Sequence, residues 1–139
     1  AELAVNRIND RPNETLRSGG FAYGFLFSRG ALHGLFIRTQ IENAARLRLK
    51  ESDRLQTTAA LLSVLGGCVH ELPDGLVILG RDRLSGGTAD ACGDHRIAMS
   101  AAMAACGCEG LVTVSGSECV AKSYPAFWED FASLKEDAV

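Results

Sequence analysis

The sequence predicts an α/β fold, and three observations carry that reading. Two segments with helical apolar spacing, 52–66 and 94–106, each run into glycine and then into a strand-like stretch. Pro73-Asp74-Gly75, set between apolar runs at 68–72 and 76–79, marks a β-hairpin. The composition, 47% hydrophobic and 22% charged, is that of an ordinary globular domain rather than a disordered chain. At 139 residues the chain is one domain or a piece of one.

Residues 1–38 hold four of the six phenylalanines, with glycines breaking any long period, and form an unassigned segment in which only 1–8 reads as a short helix. From there the signals become orderly. Residues 39–44 read as a short strand leading into the basic stretch 46–50. Ser52 or Asp53 caps a first helix whose apolar face is Leu55, Ala59, Leu62 and Leu65, and Gly66-Gly67 ends it. After the hairpin, 86–92 is a polar, glycine-rich approach to a second helix starting at Gly93-Asp94. Between Ile97 and Cys106 only Ser100 is polar, so that helix is expected to be buried nearly all round. Residues 111–114 are a strand. Ser123 precedes a third helix, with Pro125 in its first turn and Tyr124, Phe127, Phe131 and Leu134 on one face. Two helix–glycine–strand copies hint at a repeated unit.

Several function classes fall away at this level. A net charge of −3 and a pI near 5.6 argue against nucleic acid as a partner. The cysteines at 68, 92, 106, 108 and 119 form no CxxC pair, which leaves buried or incidental thiols of a reducing cytoplasm. The one membrane candidate, 19–37, carries Arg29 near its middle at a cost of about 2.5–3.5 kcal/mol, and Glu2 with no basic n-region argues against a signal peptide. No P-loop, GxGxxG or nucleophile elbow is present, and His33 and His70 have no partner that sequence identifies.

The informative feature is where the basic residues sit. A helix N-terminus carries partial positive charge, so cations there cost a few tenths of a kcal/mol, up to about 1. Lys50 and Arg54 nevertheless flank the start of the first helix, His95 and Arg96 follow the cap of the second, and Lys122 lies just before the third. A bound anion reverses the sign, because N–H groups, dipole and cations then all favour it. The bland alternative pairs Arg54 with Glu51 and Arg96 with Asp90 or Asp94, and leaves Lys122 solvated. Glu51, between Lys50 and Arg54, is equally a proton-transfer group or a first-turn carboxylate that helps the helix dipole.

Three segments in this order and spacing, RLKESDRL at 48–55, GDHRIAM at 93–99 and CVAKSYP at 119–125, resemble the C-terminal part of the EPSP synthase family from about Gln40 to Leu134. The resemblance implies repeated βαβαββ units of the enolpyruvyl transferase fold, helices packed inside with sheets outside, with 39–139 as a partial domain. It implies a reaction that adds the 5-hydroxyl of shikimate 3-phosphate to C2 of phosphoenolpyruvate and then eliminates phosphate, in aromatic amino-acid biosynthesis, with no metal or organic cofactor. By residue, it implies that Lys50 contacts shikimate 3-phosphate, that Arg54, Arg96 and Lys122 hold phosphoenolpyruvate, that Glu51 moves protons at the methylene carbon, and that His95 lies beside them. The stretch before Gln40 departs from the family, with Asp10-Arg11-Pro12-Asn13 placing asparagine where an aspartate is expected, and Arg46 replaces a common asparagine. The substrate contacts of the other domain are absent from the sequence. The chain is therefore expected to be a cytoplasmic fragment, inactive alone, whose partners are small anions and a missing N-terminal half rather than nucleic acid or membrane. The alternative is a non-catalytic anion-binding or interaction module that keeps the fold.

Overall fold

The computed structural model of the chain describes residues 16–17, 38–81 and 83–136. The short helix expected at 1–8, the membrane candidate at 19–37, His33 and the Asp10–Asn13 stretch lie outside them. Strand β1 (Leu16–Arg17) is followed by β2 (Arg38–Glu42), a 3-10 helix (Ala45–Leu49), α1 (Arg54–Val64), β3 (Cys68–Leu72), β4 (Gly75–Leu79) and β5 (Gly87–Asp90). Helix α2 (His95–Ala105), β6 (Val112–Ser115), a second 3-10 helix (Ser117–Lys122) and α3 (Phe127–Glu136) complete the order.

The strands form two sheets. The larger has the order β1-β2-β4-β3, with β1 and β2 parallel and the other pairs antiparallel, so the expected hairpin is its β3–β4 edge. The smaller pairs β5 with β6 in parallel, Ala89 opposite Val114. A parallel pair needs a crossover, and α2 is that crossover. Helix α1 packs against β3 and β4 of the larger sheet, against β5 of the smaller, and against α2. This is an α/β arrangement in which α1 lies against both sheets and α2 against the smaller one.

Strand β5 corrects the glycine-rich approach expected at 86–92. The residues there are small, so their alternation carries little hydrophobic signal. Ala89 and Ala91 are nevertheless buried, while Thr88 and Asp90 face outward, a period of two that defines a strand. The third helix is corrected as well. Residues 117–122 take their own 3-10 turns, and α3 starts at Phe127 rather than at Ser123. Trp128 Nε1 donates to the carbonyl of Ser117 at 3.0 Å, and Phe127 meets Tyr124 and Trp128 edge-to-face at centroid distances of 5.7 and 4.9 Å and stacks on Phe131 at 5.8 Å. The cysteines are free but not buried: Cys92 and Cys106 are exposed and the other three half-buried. Among the described residues no helix is long and apolar enough to cross a membrane.

Helix α1 begins where Asp53 accepts from the backbone N–H groups of Leu55 and Gln56 at 3.2 and 3.1 Å, and ends at Gly66, whose φ of +84° suits only glycine. Its buried face is Leu55, Leu61, Leu62 and Leu65, with Thr57 and Thr58 beside them, while Ala59 is half-buried. Ile97, Ala98, Ala101 and Ala104 of α2 complete the core, and Met99 and Met103 are half-buried, so α2 is covered nearly all round. Gly75 marks the tightest approach of sheet backbones, since a Cβ there would lie 1.9 Å from the carbonyl oxygen of Ile41 on β2. Gly75→Ala is expected to destabilise the chain by about 1–3 kcal/mol, because backbone and not a flexible side chain must move. Urea denaturation monitored by circular dichroism checks this.

Candidate functional site

Two of the three basic helix starts are brought together by one buried carboxylate. Asp94 is 0% exposed, and its chain neighbour Ala91 accepts from its backbone N–H at 2.9 Å. Asp94 Oδ1 accepts from the Arg96 backbone N–H at 3.0 Å, which caps α2. Oδ2 accepts from Arg54 Nε at 2.7 Å and from the Ser52 hydroxyl at 2.9 Å, and Arg54 Nη2 reaches Oδ1 at 3.3 Å. Arg54 Nη2 also donates to Glu51 Oε2. The first residue of α1 and the cap of α2, forty positions apart, are thereby joined side chain to side chain.

Electrostatics follow from that geometry. Burial pushes the Asp94 carboxyl up, but the hydrogen bonds from Arg54, Ser52 and the Arg96 N–H outweigh it and hold it below the usual aspartate range. Glu51 is exposed, and a hydrogen bond from its own backbone N–H is the first cause of its lowered pKa. Arg54 and His95 lower it further against partial desolvation and the charge of Asp94, which places His95 in the same electrostatic neighbourhood. His95 Nδ1 is buried and has no hydrogen-bond partner among the described residues.

The residues singled out by sequence therefore divide. Glu51, Arg54 and His95 come together around Asp94. Arg54 makes the Glu51 pairing of the bland alternative, and it makes a second one with Asp94 that the sequence reading missed. Arg96 contributes its backbone N–H there, while its side chain is exposed and makes no ion pair with Asp90 or Asp94. Lys50 is exposed and joins the cluster only as the neighbour of Glu51. Lys122 is corrected in one respect: it ends the second 3-10 helix, five residues ahead of α3, so no α-helix begins beside it. That 3-10 helix packs on α2, and burial pushes the thiol of its Cys119 up, with smaller influences from the charges of Glu118, Asp94 and Lys122. His70 is exposed on β3, away from all of these.

Asp94 and Ser52 belong to this cluster, although sequence reasoning left them as caps. A signal was available: Asp94 is the one acid at the head of a helix that is otherwise almost wholly apolar, and a carboxylate in that position must be paired. Because the folded pKa of Asp94 is depressed, its contribution is fully present above the ordinary aspartate range and is lost as pH falls through the lower folded value. Asp94→Ala, which takes from Arg54 its buried partner, is expected to cost about 3–5 kcal/mol at neutral pH. With Asp94→Asn, the stability difference from the parent chain is expected to hold steady above about pH 5 and shrink below about pH 4, as urea denaturation across pH reads directly.

The chain is similar to known proteins over most of its length. The family model of EPSP synthase (3-phosphoshikimate 1-carboxyvinyltransferase) matches residues 29–131, starting inside the segment that the sequence left unassigned. The chain is 56% identical over 99 residues to the 3-phosphoshikimate 1-carboxyvinyltransferase of Clostridium acetobutylicum, a match that covers 71% of this chain and 23% of that protein. It is 47% identical over 97 residues to that of Desulforudis audaxviator, covering 70% and 23%. Among solved structures, EPSP synthase from Acinetobacter baumannii superposes with a TM-score of 0.62 at 39% identity over 69% of this chain and 23% of that one. The chain thus spans about a quarter of the length of these relatives.

Proposed function

The chain belongs to the EPSP synthase family, and on that premise we propose that it carries one side of an enolpyruvyl-transfer site, with the other side supplied by the part of the family's length that it does not span. The observation that supports this reading is the Arg54–Asp94 pair, which sets the starts of α1 and α2 beside each other. Anion-binding backbone and cations then share one surface.

In this reading the buried and exposed residues have different tasks. Arg54 is held rigidly, with its charge already shared between Asp94 and Glu51, and supplies a fixed positive field. Lys50, Arg96 and Lys122 are exposed and make no ion pair with another described residue, which leaves them available for a phosphate or carboxylate. Counting Arg54, the four cations outnumber Glu51 and Asp94 by two charges. Phosphoenolpyruvate would meet Arg96, Lys122 and the field of Arg54, and shikimate 3-phosphate would meet Lys50. His95 lies beside Glu51 with a buried, unpaired Nδ1.

Glu51 takes the proton work. Addition of the 5-hydroxyl to C2 breaks its O–H bond, whose proton passes to solvent or to a base on the side of the site that this chain does not span. It also requires a proton at C3, which turns the methylene into a methyl group. Elimination of phosphate then requires one of those protons to leave, which restores the double bond. The lowered pKa of Glu51 suits the second step, in which a carboxylate accepts. A bound polyanion beside it raises that pKa and so favours the donor form for the first step.

Half a site open to water binds weakly. Screening holds each exposed contact to about 0–1 kcal/mol, so millimolar affinity, about −4 kcal/mol, is expected for phosphoenolpyruvate. In an NMR titration the amides at 50–54, 94–96 and 122–123 are expected to shift together, and added salt to weaken them, since screening acts over about 8 Å at 0.15 M. Arg96→Ala is expected to weaken all three responses about two- to fivefold. Independent responses, or a strongest response at the 73–75 turn, count against a shared site. The isolated chain is expected to release no phosphate from phosphoenolpyruvate and shikimate 3-phosphate. Turnover that disappears in Glu51→Ala would show the chain to be sufficient.

A further inference from the structure

Arg48 makes four hydrogen bonds that none of these roles uses. Its Nη1 donates to Asp53 Oδ2 at 2.8 Å and to Glu71 Oε1 at 2.7 Å. Its Nη2 donates to the carbonyl of Leu72 at 2.7 Å, and its Nε to the carbonyl of Pro73 at 2.9 Å. Asp53 meanwhile caps α1 through its other oxygen. One planar fork therefore ties together the end of the first 3-10 helix, the cap of α1 and the tip of the β3–β4 hairpin. A lysine ammonium is a single point of charge and cannot span those directions. The Ala44 N–H, which donates to the carbonyl of Asp74 at 2.8 Å, fastens the same turn to the entrance of the 3-10 helix.

Lys50, Glu51 and Ser52 lie between Arg48 and Asp53, outside helix and strand. The Arg48–Asp53 pair closes this stretch at its base, while Ser52 and Glu51 hold its inner side through Asp94 and Arg54. Packing does not do the same, since Leu49 is 86% exposed. Without the closure, Lys50, which makes no ion pair among the described residues, would keep more of the backbone freedom that ordering removes.

We propose that Arg48 is a positioning residue for Lys50 and Glu51, fastening the loop that presents them to the tip of the β3–β4 hairpin. Arg48 itself touches no substrate. Which ligand the loop meets rests on the enolpyruvyl-transfer reading; the order of the loop does not.

The test is amide hydrogen exchange and 15N relaxation on the 139-residue chain, as wild type, Arg48→Met and Arg48→Lys. In Arg48→Met the amides of 49–52 and of Leu72 and Asp74 are expected to lose protection about tenfold, with β5, α2 and β6 unchanged. Arg48→Lys is expected to recover only a small part of that loss, because the fork and not the charge is needed. Unchanged protection at 50–52 in Arg48→Met, or full recovery in Arg48→Lys, overturns the proposal. Should Arg48→Met fail to fold, Glu71→Ala removes one of the three hydrogen bonds from Arg48 to the hairpin and leaves those to the Leu72 and Pro73 carbonyls. It is expected to give a smaller loss in the same two segments, and no loss there overturns the proposal equally. Titration with phosphoenolpyruvate adds the functional arm: Arg48→Met is expected to weaken the responses at 50–54, 94–96 and 122–123 together, about threefold, because one shared site answers as a unit. An undiminished response in Arg48→Met overturns the positioning role, and so does lost protection in β5, α2 and β6, which shows a general loss of fold. If no wild-type amide responds to phosphoenolpyruvate, the functional reading fails, while exchange and relaxation still decide the role of Arg48.

Discussion

A carboxylate and a guanidinium taken out of water together set the arrangement around the site. Moving Asp94 and Arg54 from solvent to the interior costs several kcal/mol per ion, and mutual attraction offsets this only with near-complete hydrogen bonding. Asp94 meets that condition: Arg54 and the Arg96 N–H occupy Oδ1, and Arg54 and Ser52 occupy Oδ2. Even so, well-packed apolar residues of the same volume often do as well or better for stability. Stability alone is therefore a poor account of the pair. Register is a better one, since the hydrogen bonds are satisfied only when the first turn of α1 and the cap of α2 meet in one orientation.

The core makes that meeting possible. The face of α2 that packs inward is Ile97, Ala98, Ala101 and Ala104, and alanines let Leu61 and Leu65 of α1 approach closely. At the other end of each helix, short connections lead straight into strands, so that α1 feeds the β3–β4 edge and α2 feeds β6. The helix starts are then left at one end of the molecule while the helix ends are tied into sheets. Apolar packing sets how near the helices lie, and the ion pair sets how they are rotated and offset.

How much of this the sequence revealed depended on how loudly each segment speaks. The first helix, the hairpin and the second helix were legible because leucines at helical spacing, Pro73-Asp74 and an unbroken apolar run are strong signals. Strand β5 was not, since Gly87, Thr88, Ala89 and Asp90 alternate correctly but with side chains too small to register. The late start of α3 was hidden because Ser123 and Pro125 are plausible helix openers, while the 3-10 turns before them are held by tertiary contacts such as Trp128 to Ser117. For the site, the basic residues near helix starts were readable as a pattern. The partner of Arg54 was not, because a contact forty residues away is invisible to local spacing.

On the proposed reading, the division between buried and exposed charge also explains how half a site can be organised without being strong. Arg54 is fixed and largely neutralised by its partners, so it costs little to hold in place before any ligand arrives. Lys50, Arg96 and Lys122 remain in water, where unpaired cations are well solvated and repel one another weakly. Bringing all of them together in a dry pocket would be unfavourable without an anion to meet them. On the proposed reading, the remaining length of the family's chain closes over these cations only when an anion is present. Closure then lowers the local dielectric and strengthens every contact at once. The order of the site can therefore be built into this chain through Arg54, Asp94 and their neighbours, while its strength depends on excluding water, which an exposed surface cannot do.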